Sequence, residues 1–231
     1  MKLSILMPVY NERALAANAV KQALDVTYPC DVELLIVDDG SSDGTAELLA
    51  GLEDPRINLQ LHPQNRGKGA AIQTAATRAT GDYMVILDAD LEYDPEDIPK
   101  LLEPVLDGRA SVVYGSRTFG SHSAYSFWYV MGNKGVTTAA NVIFNSYISD
   151  LETCFKLLPL ELFRDLGIRS AGFGMEAEIT GKLLRRRIRP YEVPISYRAR
   201  TREEGKKITW RDGVAALWIL VRERCRRPPT A

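Results

Sequence analysis

The sequence is poor in features that define several large classes of protein. Its 231 residues include three cysteines, Cys30, Cys154 and Cys225, which lie far apart and are odd in number. This spacing argues against a disulfide framework or a zinc site and predicts a reducing compartment. The longest purely apolar run, 214–221, is far shorter than the ~20 residues of a membrane-spanning helix. Because the N-terminus also has no signal-peptide pattern, we expect a cytoplasmic protein without a transmembrane segment.

The net charge is small as well. At −1 for the whole chain, it gives no general attraction to nucleic acid, which we exclude as a partner. The charge is nevertheless unevenly distributed. Residues 182–227 contain 15 Lys and Arg against 5 Asp and Glu, a local charge of +10 that leaves −11 for the remainder. This asymmetry predicts a metal or polar site in the first part of the chain and an anionic partner for the last part.

Hydrophobic periodicity predicts an α/β fold. Strands are expected at 3–9, 33–38, 57–62, 83–87 and 111–115, separated by helices at 12–25, 45–52, 68–80 and 95–106. Such alternation is typical of a mainly parallel sheet covered on both faces, which binds ligands at the carboxyl ends of its strands. Further on we expect helices at 125–147 and 176–187, strands at 154–158 and 190–197, a loop at 198–207 and a last helix at 209–227. We therefore divide the chain into a domain, 1–208, and a C-terminal helix with a basic tail, 209–231.

Acidic residues follow the predicted strand 83–87. Asp88, Asp90 and Glu92 are spaced so that their carboxylates can share one divalent cation. Mg²⁺ and Mn²⁺ prefer oxygen ligands and commonly join a carboxylate to a substrate diphosphate. We expect these three residues to bind Mg²⁺ or Mn²⁺, with a solvated acidic turn as the alternative. His62 and His122 have no metal-like partners, and we assign them no role.

Three further polar segments, 8–12, 38–45 and 65–71, follow other predicted strands. In these segments Asp39 could accept hydrogen bonds from a base N–H, and Tyr10 could stack on that base. Asn65 and Lys68 belong to a glycine-containing loop that leads into a helix, and the N-terminus of a helix favours anions. Ordinary turn chemistry is the alternative in each case, because Asp, Gly and Ser also form turns without any ligand.

Taken in order, these segments resemble glycosyltransferase family 2. The motifs P-x-Y-N-E, D-D-G-S-x-D-G-T, N-x-G-K-G-x-A and D-A-D all occur in the first half of the chain. The resemblance implies the GT-A fold, with a single mixed, mainly parallel sheet flanked by helices, and transfer with inversion at the anomeric carbon. It also implies a nucleotide-sugar site formed by Pro8, Tyr10, Glu12, Val37, Asp39, Asn65, Lys68, Asp88, Ala89 and Asp90.

The second half of the chain is similar to the dolichyl-phosphate mannose synthase branch of this family. The similarity lies in Gly115-Ser116-Arg117 and in the segments 150–156 and 192–197. It implies a polyprenyl phosphate acceptor and a hexose, mannose or glucose, donated by a GDP- or UDP-sugar. The implied catalytic residues are Asp90 and Arg117, and the acceptor phosphate site contains Arg117, Asn133, Lys134, Arg200 and Lys207. In three places the sequence departs from the branch: Glu92 replaces a Gln, and Asn133 and Thr137 replace an Arg and a Ser.

The chemistry of the acceptor separates the alternatives. A phosphate is already an anion, whereas a hydroxyl acceptor, as in polysaccharide synthesis, needs a general base. That base would have to be Glu152, Glu176 or Glu178. A nucleotide-binding module without catalysis is a third hypothesis, against which Asp88-Ala89-Asp90 argues.

The last predicted helix carries an apolar face with arginines around its ends. Trp210, Val214, Leu217, Trp218 and Val221 share this face. Such a helix could lie at the inner face of a membrane or pack on its own domain, and the sequence leaves both possibilities open. The arginines at 185–187 are expected to be solvated, because cations are favourable late in a helix.

Overall fold

A single mixed sheet organises the part of the chain that the computed structural model describes, residues 1–121, 126–200 and 209–226. Seven strands form it within these residues, in the order β3-β2-β1-β4-β6-β5-β7. They are β1 Lys2–Val9, β2 Asp31–Asp38, β3 Ile57–Leu61, β4 Tyr83–Ile86, β5 Val113–Ser116, β6 Lys156–Pro159 and β7 Tyr191–Pro194. Neighbouring strands are parallel, except that β6 is antiparallel to both β4 and β5. The predicted mixed, mainly parallel sheet is therefore confirmed.

Helices cover the sheet on both sides. They are α1 Ala16–Asp25, α2 Thr45–Ala50, α3 Lys68–Arg78, α4 Ile98–Leu106, α5 Phe127–Phe144, α6 Leu160–Leu166, α7 Met175–Arg185 and α8 Trp210–Cys225, with a 3₁₀ turn at Pro95–Asp97. The sequence did not predict α6, which is only seven residues long. The first helix begins later than predicted, because the Glu12 carbonyl accepts hydrogen bonds from Leu15 and Ala16 in a preceding turn. Of the loop predicted at 198–207, residues 201–207 lie outside the described residues.

The centre of the sheet forms the main core. β1 and β2 are rich in Leu, Ile and Val because both of their faces are buried. Small residues let α3 approach the sheet and the loop before α7 closely. A Cβ atom added to Gly69 would lie 2.2 Å from the carbonyl oxygen of Ser170, so this position requires glycine. The approach brings the start of α3 to the carboxyl end of the sheet.

Strand register brings the polar segments to one edge. Val9 pairs with Asp38, and the amide of Asp39 donates to the Val9 carbonyl at 2.8 Å. Leu6 pairs with Ile86, so Asp88 lies beside the end of β1. Parallel strands end on the same side of a sheet, and the predicted convergence of these segments is therefore observed.

A smaller core joins α8 to α5 and α7. Ala216, Ile219 and Leu220 of α8 are buried in it. The carboxylate of Glu223, which is 0% exposed, pairs with Arg226 at 2.8 Å and with Arg185 at 3.9 Å. Arg185 was expected to be solvated, but it lies against this buried carboxylate. The described part of the predicted C-terminal element is thus packed on the domain.

The carboxylate of Glu33 fastens β2 to both neighbouring segments. It accepts hydrogen bonds from Lys2 Nζ at 2.8 Å, Ser4 Oγ at 2.6 Å and the amide of Thr80 at 2.6 Å. Burial alone would raise the pKa of Glu33, but the hydrogen bonds from Lys2, Ser4 and Thr80 lower that pKa to about 2. Glu33 therefore stabilises the fold through its ionised form.

We expect Glu33→Gln to lower the free energy of unfolding at pH 7 by about 1–2 kcal/mol, because charged hydrogen bonds are lost. The folded-state pKa of Glu33 lies below its ordinary value of 4.5. Its contribution is therefore complete above pH 4.5 and is lost as the pH falls towards 2. Urea unfolding from pH 7 to pH 2 should show the gap between variant and wild type closing over this range. Glu103→Gln, on the exposed side of α4, is the control, and a gap that does not change with pH would contradict the assignment.

Candidate active site

An open cavity of about 1370 Å³ lies at the carboxyl ends of β1, β2 and β4. It brings together residues that are far apart in the sequence. On the side of the predicted nucleotide site the lining contains Pro8, Tyr10, Glu12, Asp39, Asn65, Lys68, Asp88, Ala89, Asp90 and Glu92. On the side of the predicted acceptor site it contains Arg117, Asn133, Glu152, Glu176 and Arg200. Donor and acceptor candidates therefore share one continuous space.

Two of the predicted site residues lie elsewhere. The side chain of Val37 is fully buried in the core under β2, so it supports the strand and does not reach the cavity. Lys134 is exposed outside the lining, because the helical period turns it away from the face of α5 that carries Asn133. These two predictions are corrected accordingly. Lys207 lies outside the described residues.

Asp39 organises the loop that follows β3. Its carboxylate accepts hydrogen bonds from the amides of Arg66 at 3.0 Å and Gly67 at 2.7 Å, and it lies 2.6 Å from His62 Nδ1. The other ring nitrogen of His62 lies 2.9 Å from Thr74 Oγ1. His62, to which the sequence assigned no role, thus fixes the position of a cavity residue. The contact between Asp39 and a base stays a prediction.

The sequence contained only part of the signal for this role of His62, namely its position at the end of a strand. It follows β3 directly, and β3 runs parallel to β2 with Leu61 opposite Asp38. That register places His62 beside Asp39 once β2 and β3 are neighbours. The other histidine, His122, lies outside the described residues.

Lys68 forms a buried cluster with two carboxylates. Its ammonium lies 2.7 Å from Asp88 Oδ2 and 2.9 Å from Glu176 Oε1, and 4.0 Å from Cys154 Sγ. Burial alone would lower the pKa of Lys68, but Asp88, Cys154 and Glu176 raise it well above the ordinary value of 10.5. The first residue of α3 therefore carries a fixed positive charge into the cavity.

A second cluster surrounds Arg200. Its guanidinium lies 3.2 Å from Glu12 Oε2 and 3.2 Å from Asp90 Oδ2. Glu92 accepts hydrogen bonds from the Arg200 amide at 2.9 Å and from the hydroxyl of Tyr197 at 2.5 Å. Burial raises the pKa of Asp90 to about 7, as do the charges of Asp88 and Glu92, while Arg200 lowers it.

The three predicted metal ligands do not converge. Among residues 1–121, 126–200 and 209–226, no three His, Cys, Asp or Glu side chains are grouped as a metal site. Asp88 is held by Lys68, Asp90 by Arg200, and Glu92 by a tyrosine hydroxyl. The expectation of three converging acids is thus corrected. Asp88 and Asp90 still fit a divalent ion, because such ions are usually held by one or two carboxylates together with substrate phosphates.

Arg117 is oriented by a buried carboxylate. Its Nε and Nη2 atoms donate to the two oxygens of Asp150 at 2.7 Å and 2.8 Å. Asn133 Nδ2 donates to the same carboxylate at 2.9 Å, and the guanidinium lies 4.9 Å from the ring centroid of Tyr197. Burial alone would raise the pKa of Asp150, but Arg117 and Asn133 lower it. Arg117 is therefore held as a planar, charged group at the cavity wall.

Glu152 is a buried carboxyl beside other charges. Within the described part of the chain, its Oε1 atom has no hydrogen-bond partner. Burial raises the pKa of Glu152 to about 7, with a further contribution from Glu176. Lys156, which is 0% exposed, donates to the carbonyls of Leu151 and Thr153 at 2.8 Å and 2.6 Å. Burial lowers the pKa of this lysine to about 8, against the effect of Glu176.

Of the three candidates for a general base, Glu152 and Glu176 line the cavity and Glu178 does not. Glu178 is 0% exposed and outside the cavity lining, where it pairs with Lys182 at 2.6 Å. It also accepts hydrogen bonds from the amides of Arg169 and Ser170. Its carboxylate holds the start of α7 and is corrected to a structural role, which leaves Glu152 and Glu176.

The sequence is similar to those of known glycosyltransferases. The chain is 28% identical over 194 residues to the glycosyltransferase AglJ of Haloferax volcanii, covering 84% of this chain and 62% of the relative. It is 29% identical over 213 residues to the dolichol-phosphate mannosyltransferase of Pyrococcus furiosus, covering 89% of this chain and 59% of the relative. The chain thus spans about three fifths of the length of these two relatives.

A solved structure shares the fold. Glucosyl-3-phosphoglycerate synthase from Mycobacterium tuberculosis, in complex with Mn²⁺, UDP-glucose and glycerol 3-phosphate, superposes with a TM-score of 0.68 at 20% identity. The match covers 99% of this chain and 82% of that one. The model of the family described as Glycosyl transferase family 2 matches residues 4–167. The chain therefore belongs to glycosyl transferase family 2 and has the GT-A fold.

Proposed function

We propose that this chain transfers a hexose, mannose or glucose, from a GDP- or UDP-sugar to a polyprenyl phosphate. The observation that carries the proposal is the shared cavity, whose lining contains Asp88 and Asp90 together with an arginine, Arg117, that a buried carboxylate holds in place. A planar guanidinium is suited to a phosphate because it can bind two oxygens at once. The name of the Pyrococcus furiosus relative supports the same class of acceptor.

The residues of the chain would act through charge and position. Lys68 and the loop fixed by Asp39 bind and orient the donor. Asp88 and Asp90 would hold Mg²⁺ or Mn²⁺, which supplies positive charge for the departing nucleoside diphosphate. Arg117 aligns the acceptor phosphate, whose oxygen attacks the anomeric carbon while the bond to the diphosphate breaks. The anomeric carbon is thereby inverted, and the acceptor needs no general base because it is already an anion.

A hydroxyl acceptor is the second candidate, because Glu152 lies in the cavity with a pKa of about 7. A base with that pKa must be ionised to accept a proton. The rate with a hydroxyl acceptor would therefore fall as the pH drops below about 7. Transfer to a phosphate acceptor would not depend on the ionisation of Glu152. The Glu152→Gln variant would therefore still transfer the sugar to a phosphate acceptor.

The purified chain should be assayed with GDP-mannose and UDP-glucose against polyprenyl phosphate and against soluble sugar acceptors. We expect a glycosylated lipid phosphate with one donor, and a shift in melting temperature for the same donor, since ligands stabilise the state to which they bind. Glycosylation of soluble sugars without any glycosylated lipid phosphate would favour the hydroxyl acceptor and refute the first proposal.

We further propose that the exposed apolar face of α5 and α8 contacts the inner face of a membrane. Ala216, Ile219 and Leu220 of α8 point into the core, while its other face is open. The large apolar side chains exposed on these two helices are Phe127, Trp128, Met131, Val142, Trp210, Val214, Leu217, Trp218 and Val221. Some of them also line the mouth of the cavity, where a lipid acceptor would enter. In the described ranges, no helix is long and apolar enough to cross a membrane.

Trp218→Glu should weaken binding to liposomes that contain anionic lipid by about tenfold or more, because it removes an apolar contact and adds like charge. Trp218 is 62% exposed, so the fold should be preserved. Leu61→Glu is the matched control, since Leu61 is 56% exposed at the end of β3 and outside this face. Co-sedimentation measures the binding, and a wild-type chain that does not sediment with liposomes would refute the contact.

A further inference from the structure

Arg200 occupies the centre of an acidic pocket. Its guanidinium contacts Glu12 through both Nη atoms at 3.2 Å and 3.3 Å, and Nη2 also contacts Asp90. Its Nε lies 3.8 Å from Glu92 Oε1 and is buried without a hydrogen-bond partner among the described residues. The side chain is 14% exposed. Three carboxylates thus surround the Arg200 guanidinium.

A divalent ion at Asp90 would have to share the carboxylate with this arginine. Asp90 Oδ1 accepts the amide of Glu92 at 3.0 Å, and Oδ2 contacts Arg200 at 3.2 Å. A Mg²⁺ ion bound to Oδ2 would lie about 2.0–2.1 Å from that oxygen, close to the guanidinium. Two positive charges at that separation repel each other strongly in a partly buried site.

We propose that Arg200 is an internal counter-cation that competes with the divalent metal for Asp90 and leaves the acidic pocket when the metal binds. The inference rests on the proposed metal-dependent function for the identity of the competing ion. Free metal therefore binds weakly, because it must break the contacts of Arg200. A nucleoside diphosphate promotes metal binding in two ways. Its phosphates ligate the ion, and they also bind the released guanidinium.

The backbone next to Arg200 connects the displacement of the Arg200 side chain to the wall of the cavity. The amide of Arg198 donates to the Glu92 carbonyl at 2.8 Å, and the amide of Arg200 donates to the Glu92 carboxylate at 2.9 Å. Tyr197, which stacks with Arg117, donates its hydroxyl to the same carboxylate. Release of Arg200 therefore acts on the segment that touches the proposed acceptor site.

Mn²⁺ binding to the full chain, followed by the electron paramagnetic resonance signal of the free ion without nucleotide, tests the competition. We expect Arg200→Gln to bind Mn²⁺ about tenfold or more tightly than the wild type, because the competing ion pairs are gone. Arg198→Gln is the control, since the exposed neighbour should leave the affinity unchanged. The double variant Arg200→Gln, Asp90→Asn should lose the gain in Mn²⁺ affinity. In the presence of UDP or GDP, the Mn²⁺ affinities of Arg200→Gln and wild type should differ less.

Melting temperatures give a second readout that needs no nucleotide. Without metal, Arg200→Gln should melt below wild type because three carboxylates lose their contacts with the Arg200 guanidinium. Mn²⁺ should raise the melting temperature of the variant more than that of wild type. If Arg200→Gln fails to fold, Arg200→Lys can replace it in the experiment. Lysine keeps one positive charge but lacks the planar guanidinium, so this variant should show a smaller gain in Mn²⁺ affinity. An Arg200 variant that binds Mn²⁺ as wild type does, or more weakly, overturns the competition.

Mn²⁺ affinity and glycosylation of the lipid phosphate test two different statements about the protein. Equal Mn²⁺ affinities in wild type and variant overturn the competition and leave lipid-phosphate transfer intact. Conversely, tighter Mn²⁺ binding by Arg200→Gln supports the competition even if polyprenyl phosphate is not glycosylated. Tighter binding that survives the added Asp90→Asn change would place the ion elsewhere and would also overturn the inference.

Discussion

Asp90→Asn should reduce the rate of sugar transfer by at least about a thousandfold, since a metal clamp on a leaving diphosphate contributes several kcal/mol. Asparagine keeps the shape of the side chain and the oxygen that accepts the Glu92 amide. It removes the negative charge that a divalent ion needs. Because Asp88 and Glu92 are like charges nearby that raise the pKa of Asp90, losing this charge should leave the melting temperature unchanged or higher.

Turnover at saturating donor and Mn²⁺, together with circular dichroism and melting temperature, separates this effect from misfolding. Asp94→Asn is the matched control. Asp94 is exposed in the same acidic segment, and its carboxylate accepts the amide of Glu96 at the start of the 3₁₀ turn. Asparagine serves that position as well, so the control should retain wild-type turnover. Retained activity in Asp90→Asn would remove Asp90 from the proposed metal site.

The convergence of the polar segments could be predicted from the sequence because it depends on local rules. Each motif follows an apolar strand, and parallel strands end at one edge, so Tyr10, Asp39 and Asp88 had to meet. The role of His62 follows from the register between β2 and β3, which is known only once the strands are paired. What the pattern left undetermined was the set of partners that each carboxylate would find.

The acceptor side could not be predicted in the same detail because it depends on contacts between distant segments. Arg200 reaches Glu12 across 188 positions in the sequence, and no local pattern indicates that contact. The antiparallel direction of β6 beside β4 also has no signal in the apolar run itself. On α5, the choice between Asn133 and Lys134 depends on the rotation of the helix about its axis, which tertiary packing decides.

Arg117→Lys should be damaging although it conserves the charge. The arginine uses two of its nitrogens on Asp150, at 2.7 Å and 2.8 Å, and its plane lies against the ring of Tyr197. This arrangement fixes the direction of the remaining guanidinium edge. A lysine has one ammonium on a flexible chain and cannot bind Asp150 and a phosphate in the same planar geometry. The variant would therefore keep its charge but lose the orientation of the acceptor.

We expect kcat/KM for polyprenyl phosphate to fall by about a hundredfold in Arg117→Lys, which corresponds to ~2.7 kcal/mol. The Kd of the donor, measured by calorimetry, should change by less than about twofold, because Lys68 is held by Asp88 and Glu176 whereas Arg117 is held by Asp150. Lys134→Ala is the control on α5, since that exposed residue lies outside the lining and its loss should leave both constants near wild type. A donor Kd that weakens as much as kcat/KM falls would show that Arg117 binds the donor diphosphate, and the acceptor phosphate would then need another partner.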